Sequence, residues 1–204
     1  MKVIGIAFSD LHLGEYSKFN EDNKRTLNHI RVLYLIKDLC IKYKCPAFFC
    51  GDFMHRPEFI STSLDEIIIE QFEELNRYEE FNIYGISGNH CMPKANTIEH
   101  RSPSHWANLC RRYSFLHNID FSYHDFGKFR VVGIPYIDHN NGLDGLIKSE
   151  LKGAMLKPTI LLLHTDYPGA KDTDNTEVGT VENLNVNLLT KFKLVLIGHI
   201  HKPQ

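Results

Sequence analysis

The chain has no Cys-x-x-Cys pair, no long apolar run, no internal repeat and no excess of positive charge. Each absence excludes something. The five cysteines (Cys40, Cys45, Cys50, Cys91 and Cys110) are odd in number and lack thiolate-zinc spacing, so neither a disulfide framework nor a structural zinc site is expected. The longest apolar stretches, such as Ile160 to Leu163 and Leu194 to Ile197, are far short of a membrane span. The apolar N-terminus is interrupted by Asp10 before it reaches the length of a signal peptide, so a cytoplasmic location is expected, in the host if the source is a virus. A formal net charge of -2 gives no support to a dedicated nucleic-acid-binding module, which is usually basic.

What the chain does have is histidine, 12 in 204 residues, and the positions matter more than the count. Short apolar runs at Val3–Phe8, Ala47–Cys50, Ile83–Ile86, Val131–Ile134, Ile160–Leu163 and Leu194–Ile197 read as strands. Their continuity suggests strands covered on both faces. Helical spacing occupies 24–43, with Leu27, Ile30, Leu35, Leu39 and Tyr43 as its apolar positions. A second helix over 64–80 places Ile67, Ile68, Phe72 and Leu75 on one face, behind a cap region at Ser61-Thr62-Ser63. Shorter helices are expected at 104–112 and 144–154, and a loop at 168–180. The alternation implies one α/β domain with sheet layers between helices.

In such folds ligand residues gather beyond the carboxyl ends of strands, and five runs deliver them there. Asp10 and His12 follow the first, Gly51-Asp52 with His55 the second, and Gly88-Asn89-His90 the third. His164 follows the run at 160, and Gly198-His199-x-His201 the last. Any one of these alone is more often a turn, a cap or a core histidine. Five together are not a coincidence of packing. Carboxylate, imidazole and amide oxygen suit manganese, iron or zinc. Seven candidate ligands are too many for one ion and suit two sharing a carboxylate. Two ions about 3.5–4 Å apart can hold a phosphate, activate a water and neutralise a leaving oxygen. The glycines at 51, 88 and 198 are expected to give sharp turns and close approach of the phosphate.

Asp10-x-His12, Gly51-Asp52, Gly88-Asn89-His90, His164 and Gly198-His199-x-His201 resemble the motif series of the calcineurin-like metallophosphoesterase superfamily, in family order across nearly the whole chain. The resemblance implies a layered α/β/β/α sandwich with mixed sheets over residues 1–204. It implies two divalent metal ions, manganese first, with iron, zinc or magnesium as alternatives. Asp10, His12 and His201 would hold one ion; Asn89, His164 and His199 the other; Asp52 would bridge. His90 would act on the scissile phosphate or the leaving oxygen, assisted by His55. Gly51-Asp52-Phe53-Met54-His55 and Leu161 to Asp166 are most similar to the SbcD-type nucleases and their phage relatives, which work in recombination and repair. That branch implies DNA as substrate, an SMC-like ATPase partner and a homodimer. A phosphatase or small-molecule phosphodiesterase, and a metal-binding scaffold with little activity, stay open beside it.

Two departures stand out. Cys91 occupies the place of the acid that usually orients the catalytic histidine, so Asp125 or Asp138 is expected to substitute. The chain ends at Gln204, where SbcD-type proteins continue into a capping part, so a domain without that cap is expected. Lys24, Arg25, Lys42, Lys44, Arg111 and Arg112 are candidate phosphate contacts, and Phe53, Trp106, Tyr136 and Tyr167 candidate base-stacking residues.

Overall fold

The computed structural model describes residues 2–14, 24–55, 61–92, 104–137, 142–154, 156–171 and 184–200. Its first half runs β1 (Ile6–Phe8), α1 (Lys24–Tyr43), β2 (Ala47–Phe49), α2 (Thr62–Leu75), β3 (Ile83–Gly85), α3 (His105–Arg112) and β4 (Leu116–Asn118). The second runs β5 (Ser122–Asp125), β6 (Arg130–Ile134), α4 (Leu143–Ala154), β7 (Thr159–His164), α5 (Val186–Leu189) and β8 (Leu194–Gly198). A 3-10 turn, Asn89–Cys91, follows β3.

Two four-stranded sheets result, in the orders β1-β2-β3-β4 and β5-β6-β7-β8. The first is entirely parallel. The second is mixed, because β5 runs antiparallel to β6 while β6, β7 and β8 are parallel. Side-chain alternation divides each strand between two cores. Phe48 and Cys50 meet Val131, Ile160 and Leu162 between the sheets. Ala47 and Phe49 face outward to α1, α2 and α3, and Val132, Leu161 and Leu163 face outward to α4 and α5. Burial on both faces is why these runs carry almost no polar residue. The expected α/β/β/α layering is what forms.

The helix face expected for α1 is corrected. Ile30, Leu33, Ile36 and Cys40 are buried, whereas Leu27, Leu35 and Tyr43 are exposed. Two apolar stripes compete on this helix, and the one that meets sheet and α2 is the i, i+3, i+6, i+10 stripe. The second helix stops at Leu75, earlier than expected. The Asn76 side chain is engaged elsewhere, accepting from Ser114 N–H at 2.8 Å and from its hydroxyl at 2.9 Å.

Phe53 and Trp106 are fully buried and pack on Phe49 and on each other, which withdraws both from any role in base stacking. Aromatic rings of this kind bury about 150–250 Å² each, worth about 4–6 kcal/mol at 25 cal/mol per Å². The Trp106 indole N–H donates to the Gly85 carbonyl at 3.0 Å, so no polar group is stranded. Among the described residues, no helix is long and apolar enough to cross a membrane.

Candidate metal centre

The carboxyl ends of β1, β2, β3, β7 and β8 converge on one edge, and the polar residues expected there do meet. The segments leaving β1 and β2 continue side by side. Asp10 N–H donates to Gly51 O at 2.9 Å, His12 N–H to Asp52 O at 2.9 Å and Leu13 N–H to Phe53 O at 2.8 Å. This ladder places Asp10 and His12 beside Asp52. The His12 Nε2 lies 3.8 Å from a carboxylate oxygen of each.

The second cluster is tighter. His164 Nε2 is 3.3 Å from Asp52 Oδ2 and 2.9 Å from Asn89 Oδ1, and His199 Nδ1 is 3.2 Å from the same Asn89 oxygen. Possible ion ligands form three overlapping groups: Asp10, His12 and Asp52; Asp52, His164 and His199, with Asp52 common to these two; and His12, His55 and His90. His201 lies outside the described residues.

The chemistry of this donor set fits metal ions. His164 Nδ1 is 2.7 Å from the Cys50 carbonyl. A carbonyl only accepts, so Nδ1 carries a hydrogen, and Nε2 in the neutral ring aims a lone pair at two oxygens. Lone pairs facing one another require a cation between them, a proton or a metal. Burial works against charge on His164, but the Asp52 carboxylate bonded to it and the Cys50 carbonyl raise its pKa above the ordinary imidazole value. Burial likewise pushes the Asp52 carboxyl up, yet His164, His12 and the backbone N–H of His90 outweigh it and hold it low. His199 moves the other way, lowered first by burial and then by its neighbour His164.

Partners behind the ligands fix their orientation. His199 Nε2 lies 3.1 Å from Asp166 Oδ1, a carboxylate that sequence reading quoted without giving it a role. His199 N–H points at both Asp10 oxygens, at 3.2 and 3.1 Å. Four of the six non-glycine residues with positive φ among those described are site residues: Asp10 (54°), His12 (47°), Asp52 (61°) and His199 (106°). Such conformations cost on the order of 1–3 kcal/mol each and cluster at functional sites.

The glycines have a further use besides the turns expected of them. A Cβ on Gly88 would overlap the Asp52 carboxylate, one on Gly51 the His164 ring, and one on Gly198 the Ser9 hydroxyl and the Cys50 carbonyl. They make room for other ligands and their supports. Gly51, at φ 100°, also needs the left-handed region.

His90 stands apart from the tight cluster. Its N–H donates to Asp52 Oδ1 at 2.9 Å, and its Nδ1 lies 2.8 Å from the His55 carbonyl. The His55 ring stacks on it with centroids 5.4 Å apart. This corrects the expectation that Asp125 orients His90: Asp125 sits on β5, bonded to Lys157 at 2.6 Å. Asp138 lies outside the described residues. Cys91 is buried among apolar side chains, with burial pushing its thiol up to about 11, a core residue and not a nucleophile. The turn that carries Asn89 and His90 is anchored at its root by Asp120, which accepts from Ser87 N–H at 2.8 Å and from its hydroxyl at 2.6 Å.

Beside the His12 and His90 rings opens a cavity of about 210 Å³ that Arg25 and His29 of α1 also line. His29 was missed in the sequence. The signal was its spacing of four from Arg25, which puts both on one helix face. Of the other candidate cations, Lys42 and Lys44 stand at the opposite end of this 20-residue helix, about 30 Å away. Of the candidate aromatics, Tyr136 is near the ligands, its ring 6.2 Å from those of His164 and His199.

Comparison with known proteins bears on the fold and the family. Among solved structures, a Staphylococcus aureus protein assigned as a 5′-nucleotidase, crystallised with alpha-ketoglutarate, superposes with a TM-score of 0.56 at 16% identity, over 96% of this chain and 44% of that one. The chain thus spans less than half the length of that relative. The nuclease MPE of Pseudomonas putida gives a TM-score of 0.38 at 14% identity, over 80% of this chain and 61% of the other. A search of curated proteins finds no match. The model of the calcineurin-like phosphoesterase family matches residues 6–203, and the chain belongs to that family.

Proposed function

We propose that the chain is a dinuclear-metal-dependent phosphodiester hydrolase acting on nucleic acid, nearest in kind to the SbcD-type nucleases. The observation that carries the reading is the pair of ligand groups sharing Asp52, with His90 beside them, its Nδ1 engaged by the His55 carbonyl and its ring on a cavity wall. Asp10, His12 and Asp52 would hold one ion, with His201 as its further ligand. Asp52, Asn89, His164 and His199 would hold the other. The ions, when bound, supply positive charge against the phosphate oxygens and lower the pKa of the attacking water. Manganese suits the oxygen and imidazole set.

The remaining steps belong to the protein. Because the His55 carbonyl can only accept, His90 Nδ1 carries its hydrogen, and Nε2 is the nitrogen through which the ring takes up or releases a proton. With a proton on it, that nitrogen would donate to the oxygen that leaves phosphorus, the general-acid role. The His55 ring stacked on it restricts its rotation. Gly88, lacking a side chain, keeps the His90 turn against Asp52.

The formal charge of -2 favours a second reading, a nucleotide-sized diester in place of a long strand. Manganese-dependent turnover of a labelled single-stranded oligonucleotide, set against bis-p-nitrophenyl phosphate and p-nitrophenyl phosphate, separates the two. Cleavage of the oligonucleotide and the diester but not the monoester is expected. Brisk diester turnover with an intact oligonucleotide would support the second reading, and retained metal without any turnover would leave a scaffold.

A further inference from the structure

From the cavity beside His12 and His90 we infer that Arg25 is a substrate-positioning residue, receiving a second anionic group of the substrate, the phosphate next to the one that is cleaved. The inference rests on the diesterase reading above and adds a substrate requirement to it: at least two phosphates.

The cavity is one-sided. Asp10, His12, His55 and His90 line it, while Asn89, His164 and His199 do not. It is therefore bordered both by the proposed first ion's ligands and by the ring assigned to the leaving oxygen, and a leaving group would enter this space. Arg25 and His29, one turn apart on α1, line it as well.

Two features fix the turn that bears Arg25. The adjacent Thr26 is fully buried, and its hydroxyl donates to the Gly14 carbonyl at 2.9 Å. That bond ties the first turn of α1 to the segment that carries Asp10 and His12. The helix then buries Ile30 and Leu33 in the core, so the turn bearing Arg25 moves only with the sheet. A guanidinium presents a planar fork of donors that matches two phosphate oxygens. Of the residues that line the cavity, Arg25 is the one with a permanent positive charge, so a second phosphate is received there.

The test measures binding apart from turnover. Affinity of a fluorescein-labelled oligothymidylate is followed by anisotropy with calcium in place of manganese, across a salt series. Arg25→Ala is expected to weaken binding about tenfold and to reduce the salt slope by roughly one, with Arg25→Lys between it and the parent. Lys42→Ala, at the far end of the same helix, is the control for general charge and leaves affinity and slope unchanged. In manganese, the Arg25→Ala loss on the oligonucleotide appears mainly in KM, and the ratio of its kcat/KM to that for bis-p-nitrophenyl phosphate falls about tenfold. Affinity and salt slope unchanged in Arg25→Ala, or equal losses in Arg25→Ala and Lys42→Ala, would overturn the inference. So would failure of the parent protein to bind the oligothymidylate. Failure of the diesterase reading shows separately, as no turnover of bis-p-nitrophenyl phosphate by the parent.

Discussion

The two halves of the metal centre are built differently. In the half formed by Asn89, His164 and His199, each imidazole is held from behind, one by the Cys50 carbonyl and the other by Asp166, and His164 is almost fully buried. The half formed by Asp10 and His12 is itself little exposed, its His12 side chain at 10% against 26% for His199, but it borders the cavity that His55, His90 and Arg25 share. The difference suggests a division of labour: a closed half that retains its ion, and an open half where substrate arrives. Asp52, hydrogen-bonded to the His90 N–H and paired with His164, belongs to both.

Replacing that shared residue should have the largest effect. Asp52→Ala is expected to lose both ions and at least about 10³ in activity, since each ion supplies several kcal/mol of transition-state stabilisation. Metal content by mass spectrometry checks it, and retention of one tightly bound ion would mean that the halves are independent. Next comes the open half without its proton donor. His90→Ala should keep the metal content of the parent yet lose about 10²–10⁴ in kcat. If metal falls with activity, the distinction between holding and reacting fails.

The closed half is probed from behind. Asp166→Ala should weaken metal binding about 10–100-fold, the usual cost of removing a partner that orients a ligating histidine. Competition against a chelating dye should assign the loss to a single ion.

The smallest effect separates two rings within the closed half. In the metal-free protein, His164 should titrate above an ordinary imidazole and His199 below it, followed by their ring proton shifts. The linkage signs are opposed. His164 contributes stability that is full below its unfolded pKa and is lost as pH rises through the raised folded value. The contribution of His199 is present above its unfolded pKa and is lost as pH falls through the lowered value, and Asp52 behaves like His199 further into acid. Metal should abolish both imidazole titrations, because bound imidazole must give up its proton.

The same contrast bears on what the sequence could reveal. Strands buried on both faces, such as β2 and β7, announce themselves as unbroken apolar runs, and their ends located the ligands. β4 and β5 do not. They lie at sheet edges, and Leu116-His117-Asn118 and Ser122 to Asp125 offer neither a run nor an alternation. Their register comes from neighbours, through pairing with β3 and β6. Ligand residues were legible because their chemistry is distinctive and follows strands directly. The supports were not. Asp166 and Asp120 matter for what they face across the fold, and the His55 carbonyl that orients His90 is a backbone atom that no residue name discloses.

The three glycines also carry a lesson about inheritance. Gly88 is hollow where the second segment puts Asp52, Gly51 where the fourth puts His164, and Gly198 where Ser9 and Cys50 pass. Each is a mould of a residue far away in the chain. The motifs are thus one object written in five places, and they can drift only together. A transplant of a single motif from a distant relative would import a mould cast from a different partner. Such a chimera would misplace a ligand in a segment that was never altered.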